Sequence, residues 1–341
     1  VTRRLAVLSA DPGGPSVRHR WTRIAPWLAE AGLSLDVVEL PREGRSREPA
    51  FAKAAEADVV VLQRRLLRHR DFDRLRAAAR RLVYDFDDAM PYRDPFRGQP
   101  QSTARANRFL RTCSESDAVV AGSEELAALA RPCGPRALFV APTPVDPARY
   151  GPAPSPRAAG APFLPGWIGS RATLPYLAPV AAPLARVLAE SPGARLLVVA
   201  DAAPDLPGVP VEHVPWSEEG EADALRRMDA GLMPLGDDPF SRGKCGFKLL
   251  QYAATGIPSV ASPVGANVAI VEHGRTGFLA SGEEEWTAAL RRLAKEPALR
   301  AEMGAAARRV AEKRWAAGVL APPLARFLAQ VADAPASVGR A

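Results

Sequence analysis

The chain predicts an α/β fold made of two doubly wound, Rossmann-like domains facing each other across a cleft. Three observations carry that expectation. Short apolar runs alternate with helix-length amphipathic segments, a proline-dense stretch interrupts the alternation near the middle, and the alternation then begins again. At about 150 residues per domain, 341 residues suffice for two cores. Ligands of such sheets lie beyond the carboxyl ends of the strands.

Residues 5–9 are the first strand, running into the turn Asp11-Pro12-Gly13-Gly14. Residues 16–31 carry helical spacing at Trp21, Ile24, Ala25 and Leu28, with Gly32 as the C-terminal stop. Strands follow at 35–40, 59–63, 82–85, 118–121 and 138–140, separated by helices at 51–57, 71–80, 102–113 and 123–131, the last capped by Ser123. Strand–helix–strand spacing of this kind gives a parallel sheet with right-handed crossovers. Residues 141–165 are dense in proline and read as a semi-rigid hinge. Beyond it, strands are predicted at 163–168, 195–200, 209–213, 230–233, 259–261 and 277–279. Helices are predicted at 173–189 (capped by Thr173), 218–228, 283–292 and 297–314, and an amphipathic tail at 321–331. The expected domains are residues 1–148 and 149–315.

Composition narrows the function classes. Basic residues number 45 against 38 acidic, a net charge of +7, yet no block of five like charges occurs and aromatics are scattered. That pattern argues against nucleic acid as a partner and fits anionic small molecules or loose attraction to an anionic surface. Cys113, Cys133 and Cys245 lack metal or disulfide-framework spacing, which points to a reducing compartment. No apolar run approaches the roughly 18 residues of a membrane span, and the N-terminal run reads as a strand. The expectation is a soluble, cytoplasmic protein with at most peripheral contact at the inner face of the membrane.

Residues 237–265, DDPFSRGKCGFKLLQYAATGIPSVASPVG, combine a Gly-containing loop, an apolar helix and a strand ending in a second Gly turn. The loop and helix start offer backbone N–H groups and a positive dipole end to a phosphate. Of the five lysines in the chain, Lys244 and Lys248 both sit here. With Arg242, and Arg171 after the strand at 163–168, they place four cations on loops at one sheet edge, which suits a diphosphate. Gln251 lies one helical turn past Lys248 and can reach ribose hydroxyls. In the first domain, Gly13-Gly14 is not a dinucleotide fingerprint, which argues against NAD. Asp85, Asp87 and Asp88 stand at a strand end, and three readings remain open for them: acceptor positioning or polarisation, structural capping, or a divalent metal on a DxD. No nucleophilic triad is visible, and His273 in its Glu-His-Gly-Arg loop reads as a surface residue.

The segment GKCGFKLLQYAATGIPSVASPVG resembles the signature of family-4, retaining glycosyltransferases of the GT-B fold. So do PTPVDPARY, GWIGSRATLPYL, MDAGLMPL and EHGRTGFL, while GGPSVRHRW and VYDFDDAM resemble one branch's acceptor domain. The likeness runs from about residue 4 to 315. It implies a hexosyltransferase, of a kind used in polysaccharide biosynthesis, that needs no metal or other cofactor. A nucleotide-sugar donor, UDP- or GDP-linked, would sit in the second domain. A glycan, lipid-linked or small-molecule acceptor would sit in the first, at the loop carrying Gly13, Gly14, Arg18 and Arg20. The diphosphate would fall to Arg171, Lys248 and the backbone of Gly246 and Phe247, and the sugar to Ser262, Val264, Gly265 and Asn267. The tail, a helix at about 316–333, would cross back and join the first domain. Two glutamates of the family pattern are replaced by Gly243 and Gln251, and the family's histidine by Asp87 or Asp88, the candidate catalytic residues. A non-catalytic sugar-nucleotide-binding or partner protein, and a sugar-nucleotide epimerase, are the alternative readings.

Overall fold

In the computed structural model, residues 2–42, 46–151 and 161–334 are described, and the central part of the proline-dense hinge lies outside them. The chain divides into two units. The first comprises residues 1–144, 243–245 and 317–341, the second residues 145–242 and 246–316.

The first unit is built on β1 (Arg3–Ser9), β2 (Leu33–Glu39), β3 (Val59–Gln63), β4 (Leu82–Phe86), β5 (Ala118–Ala121) and β6 (Leu138–Val140). They form one parallel sheet in the order β2-β1-β3-β4-β5-β6. All of β3, β4 and β5 is buried, as expected of continuous apolar strands covered on both faces. The helix Ala317–Asp333 belongs to this unit. Its Leu324 and Leu328 join Trp21, Leu28, Val59 and Val61 in one core, and Phe327 stacks on Phe139 at 4.8 Å between ring centres.

The second unit carries β7 (Pro165–Ile168), β8 (Leu196–Ala200), β9 (Val211–Pro215), β10 (Ala230–Met233), β11 (Ser259–Ala261) and β12 (Gly277–Leu279). Again all pairings are parallel, in the order β12-β11-β10-β7-β8-β9. The sheets therefore differ in winding. The first turns back between β1 and β3, the second between β7 and β10, and each reversal opens a crevice beyond the strand ends.

Two helices expected to be continuous are not. Residues 16–31 split into Pro15–Arg20, a 3-10 turn and Ala25–Glu30, because Pro26 has no N–H to donate backwards into the preceding turn. Residues 171–180 are 3-10 turns containing Pro175 and Pro179, and the α-helix begins only at Ala181. Thr173 is not the cap there. It accepts from the backbone N–H of Ser170, the capping residue, through its own hydroxyl at 3.2 Å. Among the described residues no helix is long and apolar enough to cross a membrane.

Beneath the carboxyl end of β4, Arg20 grips Asp85. Nη2 lies 2.5 Å from Oδ1 and Nε 3.2 Å from Oδ2, Trp21 Nε1 adds a third donor at 3.2 Å, and Arg20 Nη1 reaches the Ala141 carbonyl and Thr143. Both members of the pair are buried, so removing one leaves an uncompensated charge in the core. Asp85→Ala is expected to cost about 3–5 kcal/mol in urea unfolding. A loss below about 1 kcal/mol would show that this pair does not hold the first sheet.

Candidate functional site

At the reversal of the second sheet, β7 and β10 pair only through Ala230–Pro165 and Gly231–Gly166. Gly231 donates to Pro258 on the β11 side and Gly169 donates to Val199 on the β8 side. Ile168 and Leu232 are thereby left facing each other where the strands part. The Tyr252 hydroxyl fills that gap. It accepts from Ile168 N at 3.1 Å and donates to Leu232 O at 3.2 Å. Its pKa is raised by burial, so it stays a neutral donor. Gly231 leaves room for the ring, since a Cβ there would lie 2.2 Å from it.

Tyr252 stands on the helix Phe247–Thr255, which starts at Gly246 (φ 65°) without a side-chain cap and stops at Gly256 (φ 77°). Both glycines occupy the left-handed region that other residues adopt only under strain. Lys248, four residues before Tyr252 and so on the same face, brings Nζ to 3.9 Å from the Trp167 ring centre. A Cβ on Gly169 would come within 2.8 Å of that ammonium. Lys248 is thus held at the carboxyl end of β7, with the helix start beside it. Arg171 follows two residues after Gly169. Its side chain is exposed, and its backbone N–H is held by Asp201 Oδ1 at 2.5 Å.

The other two expected diphosphate cations are engaged elsewhere. Arg242 makes a two-pronged exposed pair with Asp237 at 2.6 and 3.0 Å, because the short helix Pro239–Arg242 folds back over it. Lys244 belongs to Gly243–Cys245, which group with the first unit, and lies 3.3 Å from Asp88 Oδ1. Gly243 offers no space for sugar contact. It is buried, and a Cβ would meet Ala89 at 2.5 Å. Gln251 points inward rather than to a ribose. Its Nε2 donates to Tyr150 Oη at 3.1 Å, and Tyr150 donates to buried Glu221, which also accepts from Trp216. In the loop after β11, Ser262 Oγ accepts from Leu235 N, and Asn267 Nδ2 donates to Ser262 O at 3.0 Å. Val264 is buried, and Gly265 (φ 55°) packs where a Cβ would strike the Arg242 carbonyl at 2.2 Å. This loop presents backbone rather than side chains.

In the first unit Gly13 is exposed, while Gly14 is buried against the Asp11 carboxylate. Arg18 is half-buried, and Arg20 is turned into the core on Asp85, so it is not part of a ligand-facing loop. The same pair removes Asp85 from any DxD metal site. Asp87 accepts from Ser16 Oγ at 3.0 Å and lies 3.1 Å from Arg64 Nε, while Asp88 takes Arg64 Nη2 as well as Lys244. Burial works to raise the Asp87 pKa, but Arg64, Arg20 and the Ser16 hydroxyl outweigh it and hold the carboxyl below its ordinary value. Cys245, its thiol pushed up by burial, donates to the Asp87 carbonyl at 3.1 Å. Trp167 and Tyr252 were not singled out from the sequence, although both adjoin residues that were, in Trp-Ile-Gly-Ser-Arg and Lys-Leu-Leu-Gln-Tyr.

Residues 175–296, most of the second unit, match the family model described as Glycosyl transferases group 1. A D-inositol 3-phosphate glycosyltransferase of Streptomyces avermitilis is 37% identical over 100 residues, 29% of this chain and 20% of that protein. One from Pseudarthrobacter chlorophenolicus is 35% identical over 121 residues, 35% of this chain and 27% of that protein. The matched stretches thus span about a quarter of these relatives or less. Among solved structures, Anabaena Alr3699/HepE in complex with UDP and glucose aligns at TM-score 0.70 and 18% identity, over 96% of this chain and 100% of that one. Sucrose-phosphate synthase from Thermosynechococcus elongatus aligns at TM-score 0.71 and 14% identity, over 96% and 99%. The fold is the GT-B fold, and the stretch that resembles group 1 glycosyl transferases lies almost entirely within the second unit.

Two outcomes test this geometry. Tyr252→Phe leaves Ile168 N and Leu232 O without their bridge and is expected to cost about 1–3 kcal/mol in urea unfolding, against no change if the hydroxyl is idle. For Asp87 the folded-state pKa lies below the unfolded one, so its stabilisation is present above about pH 4 and lost as pH falls through the folded value. Asp87→Asn should be less stable at pH 7 and show a flatter acid limb in its urea midpoints. A limb as steep as that of the parent protein would contradict the assignment.

Proposed function

We propose that this chain is a family-4-like, retaining glycosyltransferase that moves a hexosyl group from a nucleotide-sugar to a hydroxyl acceptor without a metal. The observation that carries the reading is Lys248. Its ammonium stands over Trp167 at the carboxyl end of β7, beside a helix start with no side-chain cap. A departing nucleoside diphosphate gathers negative charge, and a fixed cation with backbone N–H groups stabilises that charge where it develops. Arg171 is the second cation of this grip. The role of Gly246 and Phe247 is through their backbone, and the loop from Ser262 to Asn267 offers the donor sugar main-chain groups. Neighbours of the same fold hold UDP and glucose or UDP-glucose, which supports a UDP-linked donor over a GDP-linked one. The first unit is the acceptor side, with Asp87 and Asp88 as polarising carboxylates and a glycan, lipid-linked sugar or small polyol as acceptor. Polysaccharide or related glycan assembly in the cytoplasm, with at most peripheral contact at the membrane, is the setting this chemistry fits.

One observation favours a second reading, a sugar-nucleotide-binding protein without turnover. Gly243 is packed on Ala89 and Gln251 is buried on Tyr150, so neither position supplies the side chain of the glutamate that the family pattern carries there.

Lys248→Ala is expected to weaken UDP binding by about tenfold or more, equivalent to ~1.4 kcal/mol, in a thermal-shift titration. Equal affinity would remove Lys248 from the site. With UDP-glucose and a panel of hydroxyl acceptors, transfer with an unchanged anomeric configuration in the presence of EDTA supports the main reading. Binding without transfer supports the second, and product formed without any acceptor would indicate an epimerase.

A further inference from the structure

All three cysteines are free, and two of them meet in the first unit away from the residues described above. Cys113 lies in the last turn of the helix Thr103–Glu115, on its buried face with Phe109 and Thr112. Cys133 closes the 3-10 turn Arg131–Cys133, which packs against that helix. The Cys113 thiol hydrogen-bonds to the Cys133 sulfur, and the Cys133 thiol donates on to the Leu129 carbonyl at 3.7 Å. The pair thus runs from the core towards the surface. Cys113 is fully buried, whereas Cys133 is half-buried between exposed Pro132 and Gly134.

The two sulfurs are not equivalent. A donor aimed at a sulfur favours its thiolate. The bond from Cys113 therefore holds the Cys133 thiol below its ordinary value, against the opposing effect of burial. The same bond raises the Cys113 thiol, and burial raises it further. The outer sulfur is the nucleophile, with a protonated partner behind it. Cys245, in the same unit, is the contrast: its thiol donates to the Asp87 carbonyl and is pushed well up by burial. The turn that carries Cys133 ends at Gly134 (φ 65°), where a Cβ would meet nothing. Cys133 can therefore shift towards Cys113 without displacing a packed neighbour.

We propose that Cys113 and Cys133 form a reversible oxidation site whose oxidant is hydrogen peroxide or another hydroperoxide. The Cys133 thiolate attacks one peroxide oxygen. An S–O bond forms, the O–O bond breaks, the second oxygen departs as hydroxide (or alkoxide), and Cys133 becomes a sulfenic acid. The Cys113 sulfur then attacks the Cys133 sulfur. An S–S bond forms, the S–O bond breaks, and the Cys113 proton leaves with the departing hydroxide as water. Together the sulfurs lose two electrons, the peroxide gains them, and an added dithiol reverses the change by exchange. The link closes residues 113–133 into a loop holding β5 and the helix Glu124–Ala130. Gly122 follows β5, and a Cβ there would lie 3.1 Å from Asp87 Cα, so the link stiffens backbone packed against Asp87. This site does not depend on the glycosyl-transfer reading.

The test is non-reducing peptide mass spectrometry of the intact chain after stoichiometric hydrogen peroxide. An intramolecular Cys113–Cys133 link about 2 Da lighter than the two thiols is expected, reversed by dithiothreitol, with Cys245 unmodified. The linked chain should melt about 5 °C above the reduced one, and equal melting would show that the link stiffens nothing. In Cys113→Ser the sulfenic acid has no partner and should be trapped on Cys133 by dimedone, whereas Cys133→Ser should leave Cys113 a free thiol. Because Cys113 is buried, Cys113→Ala is a second variant for trapping, with melting temperatures confirming the fold. Iodoacetamide should modify Cys133 of the reduced parent about tenfold faster than Cys245. Oxidation of Cys133 to sulfinic acid without a link, links only between chains, or earlier oxidation of Cys245 would each overturn the proposal. So would equal alkylation of Cys133 and Cys245, or no dimedone adduct on Cys133 in a folded variant.

Discussion

The Tyr252 hydroxyl is the interaction on which the second unit depends. A parallel sheet that reverses its winding must let two neighbouring strands diverge, and the diverging backbones lose partners for their N–H and C=O groups. Here one phenol satisfies both, taking the Ile168 N–H and giving its proton to the Leu232 carbonyl. The arrangement dictates other residues. Gly231 is required under the ring, and the helix that carries Tyr252 is pinned to the crevice. Lys248 is one turn earlier on that helix, so the bond that closes the sheet also fixes the cation that faces its opening.

In the first unit it is charge, not a neutral bridge, that holds the strand ends. Arg20 and Asp85 are buried together under the end of β4, and Asp87 and Asp88 share Arg64 just above them. Charged hydrogen bonds in a buried setting are strong but intolerant of the loss of one member. That makes this corner of the fold stiff. It also explains why residues that look like a metal-binding DxD are occupied by arginine. Asp85 has both oxygens filled, and the two outer carboxylates are left to hold a strained turn at Arg64.

Much of this was legible in the chain. All twelve described strands overlap the predicted ones; the buried β3, β5 and β8 write themselves as near-continuous Val, Leu and Ala, while the edge strands β2 and β9 carry polar residues. The helix breaks at Pro26, Pro175 and Pro179 were equally visible but lost to apolar periodicity, which persists through a 3-10 turn as well as through an α-helix. The candidate site was harder. Lys244 and Lys248 look equivalent at four-residue spacing, yet Gly246 in the left-handed region starts the helix between them and sends Lys244 to Asp88. Gln251 sits on the helix face that is buried, and its partner Tyr150 lies 101 residues away in sequence, beyond any local pattern. Side-chain direction at helix starts and the partners of buried polar groups depend on tertiary packing, which one sequence does not display.

The difference in winding between the two sheets has a chemical consequence. In the second unit the first strand, β7, lies beside the fourth, and the helix after the fourth strand delivers a lysine to the opening. In the first unit β1 lies beside the third strand, so the opening is walled by whatever ends β3, and that is Gln63 followed by Arg64. A lysine over an uncapped helix start favours a ligand with concentrated negative charge. The two openings are therefore lined by different residues because the strand orders differ. A chain whose two halves repeat one architecture in this way acquires two unlike openings without either half departing from a parallel sheet.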